Sequence, residues 1–378
     1  MKDLVYITYQ TFPSNKANTI QTMANLKYLS EHFKCKLIFP LREKNSSNSD
    51  DFIRNYYEIN ETIKINALKH YLPFGRIEIF QKYLFTISHF LWSYFICKNL
   101  DDPQDALYFT RSDWVMYFLS KKSKKVIFEC HQLSKTRKYV MKKAIKSRYS
   151  QIIFLNNKLQ EDSGLEEKDI AEKTIVLHNG VDSKIFSFNE NLNKKNVIYS
   201  GSFKRFGDNR GIEFLLNCFN DLRLKDFNLS IYGGNNHEVK ELKQIVKNLG
   251  LKNIKIHPHE KQNKLANDMK FSNIGVLLNS NKNEHSYKYT SPLKYFEYLY
   301  SGLNIIAVDF PSHKDLPYSQ NITFFNENNH DSFINAVLFA SEKQFDNTID
   351  MNSITLKHRS YKIKNFYARL EGLEPPTL

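Results

Sequence analysis

The sequence predicts an α/β protein of two domains, each with a parallel sheet, facing each other across a cleft. Short runs rich in β-branched and aromatic residues recur along its 378 residues. They do not alternate between polar and apolar residues, which is typical of parallel strands buried on both faces. Helical stretches separate them, as in α/β proteins. The clearest runs are LVYIT (4–8), KLIFP (36–40), ALYFT (106–110), KVIFE (125–129), QIIFL (151–155), TIVL (174–177), NVIYSG (196–201), NLSIYGG (228–234), NIKIHP (253–258), IGVLLN (274–279) and NIIAVD (304–309).

The chain is long enough for two domains of ordinary size. A polar, Asn-rich segment without hydrophobic periodicity, residues 183–196, lies between two strand signals and predicts a linker. We therefore place one Rossmann-like domain at 1–185 and a second at 186–353. A helix and tail follow at 354–378, and we expect this segment to pack back on the first domain.

Composition narrows the class of protein. The four cysteines are scattered without CxxC spacing, which excludes a disulfide framework and a thiolate zinc site and favours a reducing cytoplasm. The start, MKDLVYITYQ, carries an early Asp and is not a signal peptide. The longest uncharged run in the first half, Tyr83 to Cys97, is too short to span a bilayer. We expect a cytoplasmic protein, soluble or peripheral on the inner face of the cytoplasmic membrane.

The chain carries a formal net charge of +14, which favours an anionic partner such as nucleic acid, a membrane surface or a phosphorylated substrate. Much of the excess lies in residues 121–148, which contain 11 Lys or Arg and one Glu. A charge run of this kind is also compatible with a plain solvated helical face.

The segment YTSPLKYFEYLYSGLNIIAVDFPS, residues 289–312, is the most informative. Ser291 is a good helix N-cap, Pro292 suits the first helical position, and Gly302 suits the C-terminal cap. A helix that begins after a strand and loop favours anions, because its free N–H groups and its dipole both attract phosphate.

Glu297 lies about 9 Å along this predicted helix at ~1.5 Å per residue, and helical side chains lean back toward the N-terminus. Its carboxylate could accept hydrogen bonds from two sugar hydroxyls while the helix start holds an attached diphosphate. The alternative is a surface ion pair between Lys294 and Glu297.

These residues closely resemble the signature of retaining glycosyltransferase family 4, the glycosyl transferases group 1, which has the GT-B fold. Further segments resemble the same family in the same order. Three segments at the start resemble members of the surface-polysaccharide type. The segments are SPLKYFEYLYSG (291–302), IVLHNGVDSKIF (175–186), VIYSGSFKRFGDNRGIEFLL (197–216) and LSIYGG (229–234), and at the start PSNKANTIQTM (13–23), YFTRSDW (108–114) and FECHQL (128–133).

The resemblance implies transfer of a hexose from a UDP-, GDP- or ADP-sugar to a saccharide hydroxyl with retention of configuration. The first domain would bind the acceptor, a lipid-linked intermediate of capsule, lipopolysaccharide or exopolysaccharide synthesis, and the second the donor. The basic run and the aromatic stretch 71–97 would hold the first domain against an anionic membrane surface. No Asp-x-Asp pair occurs, so neither a metal ion nor a resident cofactor is expected.

Two other classes stay open. A nucleotide-sugar 2-epimerase on the same scaffold would interconvert sugars without an acceptor. The charge and the Tyr and Phe content are also compatible with a nucleic-acid-binding protein, but no RRM, KH or zinc signature occurs, and we expect no nucleic acid partner.

The resemblance also implies site residues. Glu297 would bind the donor ribose, Arg210 would hold the diphosphate, and His131 would contact the donor sugar or an acceptor hydroxyl. Arg111 would help to bind donor or acceptor. A neighbouring carboxylate, Glu129, is expected to point to the opposite face of its strand from His131. The donor-binding set is Lys204, Arg205, Arg210, Gly233, Ser291, Pro292, Leu293, Lys294 and Glu297.

The chain departs from the family pattern at two positions. Ser202 stands where the family has Arg, which leaves Lys204, Arg205 and Arg210 as the cations of that loop. Tyr289 stands where the family has the first of two glutamates, near the transferred sugar. The sequence therefore leaves the identity of the transferred sugar open. The alternative is that Tyr289 makes the protein inactive.

Overall fold

The computed structural model describes residues 1–103, 105–189, 194–205 and 208–372. The chain divides into two compact units. The first unit is Met1–Leu177 together with the segment that begins at Leu356, and the second is His178–Thr355. The sequence placed the corresponding boundaries after residues 185 and 353. Residues 190–193 of the predicted linker lie outside the described residues.

The first unit is built on a seven-stranded parallel sheet in the order β3-β2-β1-β4-β5-β6-β7. Its strands are β1 (Lys2–Ile7), β2 (Phe33–Leu41), β3 (Ile63–Lys69), β4 (Leu107–Thr110), β5 (Val126–Cys130), β6 (Ser150–Phe154) and β7 (Thr174–Val176). Its helices are α1 (Ala17–Leu29), α2 (Asp50–Tyr56), α3 (Gln81–Lys98), α4 (Asp113–Lys121), α5 (Lys135–Ala144), α6 (Asn157–Glu161) and α7 (Glu167–Lys173).

The second unit contains a six-stranded parallel sheet in the order β12-β11-β8-β13-β14-β15 and a small antiparallel hairpin of β9 and β10. The strands are β8 (Asn196–Ser200), β9 (Lys204–Arg205), β10 (Asp208–Asn209), β11 (Asn228–Tyr232), β12 (Ile254–His257), β13 (Ile274–Leu277), β14 (Asn304–Val308) and β15 (Ile322–Phe325). The helices are α8 (Ile212–Cys218), α9 (Asn236–Asn248), α10 (Gln262–Met269), a π-helix (His285–Tyr289), α11 (Leu293–Tyr300), α12 (Pro311–Lys314) and α13 (His330–Glu342).

The last helix, α14 (Leu356–Ala368), packs against α1 of the first unit. Ile363, Phe366 and Tyr367 of α14 belong to the same buried cluster as Leu4 of β1. Short 3₁₀ segments lie at Leu222–Leu224, Ser319–Asn321, Met351–Ile354 and Arg369–Glu371.

The prediction of two parallel-sheet α/β domains is confirmed, because the sheets have seven and six parallel strands. All eleven predicted strand runs form strands. The edge strands β3 and β15 were not predicted. In β3 the buried Ile63 and Ile65 alternate with exposed Lys64 and partly exposed Asn66, since one side of this edge strand faces solvent. Among the described residues, no helix is long and apolar enough to cross a membrane.

Close packing in the second unit requires a glycine in the middle of β13. A Cβ atom at Gly275 would lie 2.5 Å from ring carbons of Tyr298, a fully buried residue of α11. The same ring is held in place by its hydroxyl, which accepts the N–H of Ser200 at 2.8 Å. The position of α11 on the sheet therefore depends on the missing side chain at residue 275.

We expect Gly275→Ala to lower the free energy of unfolding of the second unit by about 1–3 kcal/mol, the usual cost of overpacking a core. Tyr298→Phe should cost about 1 kcal/mol, because it removes only the hydroxyl partner of Ser200. Denaturant unfolding of both variants measures the two effects. An alanine at 275 that costs nothing would mean that the Tyr298 ring has room to move.

Candidate active site at two switch points

In each unit the strand order reverses beside the first strand. In the second unit, the chain runs from β8 to β11 and β12 on one side, and then returns to β13, β14 and β15 on the other. In open parallel sheets of this kind, ligands bind at the carboxyl ends of the strands beside such a reversal. The loops after β8 and β13 are therefore the expected binding segments of this unit.

The loops after β8 and β11 approach each other backbone to backbone. Gly233 has φ +151°, and a Cβ atom there would lie 1.9 Å from the carbonyl oxygen of Gly201. The N–H of Gly201 donates to the carbonyl of Tyr232 at 2.9 Å. Gly233, predicted as a binding residue, is thus required for the close approach of these two loops.

Arg210 lies in the loop after β8 and turns back toward its start. Its backbone N–H donates to the carbonyl of Phe203 at 2.9 Å, and its Nη1 lies 3.5 Å from the hydroxyl of Ser202. Its Nε is buried and has no hydrogen-bond partner in the part of the chain that the structure describes. This donor is suited to an anionic oxygen.

Of the other two predicted cations, Lys204 is exposed on β9, and the side chain of Arg205 lies outside the described residues. The charge of Arg210 also acts on a buried histidine that the sequence did not predict. His313 donates from Nδ1 to the carbonyl of Val308 at 2.8 Å, so in its neutral form Nε2 is an acceptor. Burial first, and then Arg210, lower the pKa of His313 to about 4.

The helix start after β13 differs from the prediction by one residue. Helix α11 begins at Leu293, and Pro292 is its N-cap with ψ 129°, so Pro292 is not the first helical residue. Ser291 does not cap the helix, because its hydroxyl accepts the backbone N–H of Asn179 at 3.3 Å. The Asn179 side-chain amide also donates to the Ser291 carbonyl. This contact fixes the segment around Ser291 to the NGVD segment.

Glu297 is buried, with only 3% of its surface exposed. One carboxylate oxygen accepts from Lys294 Nζ at 2.7 Å, and the other lies 3.4 Å from Nε2 of Gln262 at the start of α10. The carboxylate is thus held between two polar side chains. It is neither an unpaired carboxylate open to a ligand nor part of a solvent-exposed ion pair. A ligand hydroxyl would have to share or displace these contacts.

Tyr289 ends the π-helix and is buried. Its phenol lies where the resemblance would place a carboxylate, so this position has no carboxyl group. The π-helix is held from two sides, since the Ser286 carbonyl accepts the Asn279 amide at 2.7 Å and the Ser312 hydroxyl at 3.3 Å. Single turns of π-helix are frequent at functional sites.

In the first unit, the strand order reverses between β1 and β4. Arg111 follows β4 and reaches across this reversal, where its Nη1 donates to the carbonyl of Asn18 at 3.1 Å, beside the hydroxyl of Thr22 at 3.4 Å. Its Nη2 lies 2.7 Å from Nδ1 of His131, which follows the neighbouring strand β5. Arg111 and His131 are therefore direct neighbours.

The prediction that Glu129 points away from His131 is wrong. Glu129 is fully buried and hydrogen-bonds the Nε2 of His131. Residues two apart in a strand share a face, so the two side chains lie side by side. The second carboxylate oxygen accepts from Nη2 of Arg359, on α14, at 2.8 Å, and Arg359 Nη1 donates to the side-chain Oδ1 of Asn25 at 3.3 Å.

These contacts define the protonation of the group. Burial alone would raise the pKa of Glu129, but the charge of Arg359, the hydrogen bond from His131 and the charge of Arg111 outweigh it and hold this pKa far below its usual range. Burial, followed by the charge of Arg111, lowers the pKa of His131 to about 4 despite the opposing effect of Glu129. A neutral His131 then donates from Nε2 to the carboxylate and accepts at Nδ1 from Arg111.

Both ring nitrogens of His131 are therefore engaged. A sugar hydroxyl could bind to either nitrogen only by displacing Arg111 or Glu129. Sequence reasoning missed Arg359 because it lies 230 residues from its partner. A charged residue in the otherwise apolar face of α14, next to Ile363 and Phe366, is the local signal that could have found it.

Comparison with known proteins identifies a family match in the second unit and relatives in fold for the whole chain. Residues 182–354 match the family model of the glycosyl transferases group 1, which covers nearly all of the second unit. No curated protein matches the chain.

Several solved structures share the GT-B arrangement of two parallel-sheet domains. Sucrose-phosphate synthase from Thermosynechococcus elongatus is 15% identical with a TM-score of 0.64, over 98% of this chain and 95% of that one. The lipopolysaccharide outer core galactosyltransferase WaaB is 13% identical with a TM-score of 0.60, over 98% and 100%. The catalytic domain of starch synthase IV from Arabidopsis thaliana, bound to ADP and acarbose, is 10% identical with a TM-score of 0.66, over 98% and 100%. At these identities the likeness shows the fold.

The buried group in the first unit predicts a dependence of stability on pH. The unfolded chain protonates His131 near pH 6.5, whereas the folded protein does so only near pH 4. The unfolded state therefore binds more protons in this window, and acidification from pH 6.5 to 4 destabilises the fold by about 1.4 kcal/mol per pH unit for this histidine. Burial also lowers the pKa values of His70 and His89 to about 4, so these two histidines destabilise the fold on acidification in the same way.

We expect His131→Gln to reduce the slope of unfolding free energy against pH by about 1.4 kcal/mol per unit between pH 5 and 6. The two tryptophans of the chain, Trp92 and Trp114, both lie in the first unit, so their fluorescence follows its unfolding. Exposed His237 is the control, and His237→Gln should leave the slope unchanged. An unchanged slope in His131→Gln would contradict the neutral state of this ring.

The Glu129–Arg359 pair gives a second prediction. Glu129→Gln or Arg359→Met alone should each cost about 3–5 kcal/mol, because each leaves a buried charge without its partner. The double variant should recover part of this loss in a double-mutant cycle. Glu161→Gln, which breaks the exposed pair with Lys158, is the control and should cost at most about 1 kcal/mol. Additive losses in the cycle would contradict a coupled pair.

Proposed function

We propose that this protein is a retaining, metal-independent hexosyltransferase that moves a sugar from a nucleotide-diphosphate sugar to a saccharide hydroxyl. The match of the second unit to the glycosyl transferases group 1 supports glycosyl transfer. The observation that carries the proposal is the strand order β11-β8-β13, because the Gly201–Gly233 contact, the Arg210 loop and the segment before α11 each follow one of these three neighbouring strands.

This edge of the sheet suits a diphosphate. The backbone contact between Gly201 and Gly233 requires glycine at residue 233, and the Phe203 ring packs against Gly233 and Gly234 beside it, so the two loops are held close together at this strand end. The free Nε donor of Arg210 and the dipole of α11 favour negative charge. The starch synthase bound to ADP supports a nucleotide ligand for this fold.

The reaction needs stabilisation of the leaving nucleoside diphosphate, whose terminal phosphate gains negative charge as the glycosidic bond breaks. Arg210 and the first N–H groups of α11 would supply fixed positive partners for this charge without reorganisation. Glu297, held by Lys294 and Gln262, would take the ribose hydroxyls by exchanging one of these contacts. Lys204, Arg205 and Leu293 remain members of the proposed donor site.

In the first unit, we assign the acceptor to the reversal between β1 and β4. Arg111 and His131 lie there. We assign binding to Arg111 and not to His131, because both ring nitrogens of His131 already have partners. His131 would act by fixing Arg111. We propose a lipid-linked saccharide of surface polysaccharide synthesis as the acceptor, met at the inner face of the cytoplasmic membrane. The fold shared with a lipopolysaccharide galactosyltransferase supports this class.

The donor site is tested by thermal shift with UDP, GDP, ADP and their common sugars. One nucleotide should raise the melting temperature, because binding to the folded state stabilises it. Glu297→Gln should weaken the affinity by about ten- to a hundredfold, the worth of hydrogen bonds to a charged group. Arg210→Gln should weaken it by more than Lys204→Gln, and Lys255→Gln, an exposed lysine of β12, serves as the control.

Product analysis tests the reaction. Proton NMR of the product from the stabilising donor and a saccharide acceptor should show the anomeric configuration of the donor. Conversion of the donor sugar without an acceptor would indicate the epimerase instead. If no nucleotide or nucleotide sugar shifts the melting temperature of the folded protein, the proposal is wrong.

A further inference from the structure

Helix α3 is apolar on the side that faces solvent. Phe80, immediately before it, is 73% exposed, and Tyr83, Ile87, Phe90 and Tyr94 follow at helical spacing, all exposed. Their positions are three or four residues apart, so they form one stripe along the helix. A contiguous exposed apolar stripe of this length is unusual for a soluble monomer and indicates a binding surface.

The buried side of the same helix carries three polar residues besides Trp92 and Cys97. Ser88, His89 and Ser93 are buried there, and His89 hydrogen-bonds the Ser112 hydroxyl at 2.7 Å through Nε2. Ser88 accepts the backbone N–H of Phe74. Most of the Phe, Tyr and Trp residues of α3 thus lie on its exposed side, whereas an ordinary surface helix buries its large apolar residues. Burial within this unit therefore does not account for the aromatic stripe.

The apolar surface continues onto the next helix. Phe90 contacts the rings of Trp114 and Phe118 on α4 edge-on, at centroid distances of 4.8 and 5.4 Å. Tyr94 contacts Phe118 in the same manner at 5.5 Å. These α4 rings are half-buried, so the two helices together present a broad aromatic band. Trp114 lies inside this band.

Cations border the band. Helix α4 packs between α3 and α5, and α5 carries exposed Lys135, Lys142 and Lys143 beside an exposed Tyr139. Lys121 extends the positive border at the end of α4. An aromatic band flanked by lysines on one side of a unit has the composition of an interfacial surface for anionic lipids.

We propose that the outer face of α3, α4 and α5 docks on an anionic bilayer, with α3 lying in the plane of the interface. The Phe80, Tyr83 and Ile87 end enters the headgroup region, and the α5 lysines contact lipid phosphates. A second copy of the chain does not fit this surface, because it would oppose two lysine-rich borders. This inference rests on the proposed function in one respect, because it places the protein at the membrane where a lipid-linked acceptor would lie. Vesicle binding needs no nucleotide, so the docking surface and the transferase function can be disproved independently.

Vesicle flotation tests the surface. The full chain should float with vesicles of phosphatidylcholine and phosphatidylglycerol, and far less with phosphatidylcholine alone or at high salt. Phe80→Ser with Ile87→Ser, and separately Lys135→Glu with Lys142→Glu, should each reduce binding by at least about tenfold. The control for the apolar pair is Leu222→Ser with Phe339→Ser, two exposed residues of the second unit.

Tryptophan quenching then tests the orientation. Vesicles with brominated acyl chains should quench fluorescence of the parent protein, and Trp114→Phe should remove most of this quenching, since Trp92 is buried. Flotation without quenching, equal loss in the Leu222 and Phe339 control, or binding that is insensitive to anionic lipid would each overturn the proposal. The proposal is also overturned if the protein self-associates through this stripe in sedimentation and does not bind vesicles. Nucleotide-induced thermal shifts should be unchanged in the surface variants.

Discussion

The reversal of strand order in each parallel sheet is the constraint on which the rest of the structure depends. Beside β1 and beside β8, successive connections leave toward opposite sides, and the carboxyl ends of neighbouring strands are left uncovered. The polar side chains of both candidate sites follow these strand ends directly: Arg111 after β4, His131 after β5, and the Arg210 loop after β8. Backbone pairing inside the sheet fixes where the strands end, and the strand ends fix these side chains.

Both candidate sites contain a buried acidic side chain with basic partners. The carboxylate of Glu129 is paired with two arginines, and that of Glu297 with Lys294. Because His131 is neutral, the group in the first unit carries one more positive than negative charge. A buried charge with fixed partners does not reorganise when a ligand arrives, and this favours both precise positioning and binding of anions.

Helix α3 connects the interior of the first unit to its surface. Its inner side forms hydrogen bonds with Phe74, in the segment after β3, and with Ser112, which follows β4, and its outer side carries the aromatic stripe. Anything bound to that stripe would lie on the far side of the helix from the buried His89. The same element can therefore bind a surface and support the sheet edge where Arg111 lies, since its two faces are chemically separate.

By itself the sequence determined eleven of the strands and the two α/β domains, because short runs rich in β-branched and aromatic residues leave a local pattern. The edge strand β3 does not show this pattern, because one of its faces is exposed to solvent. Only the tertiary structure decided that Ser291 pairs with Asn179 and so leaves Pro292 as the cap of α11. It also decided that Glu129 turns toward His131 and is neutralised by Arg359 from the end of the chain. These contacts join residues far apart in sequence, and their energies depend on burial that only the folded chain creates.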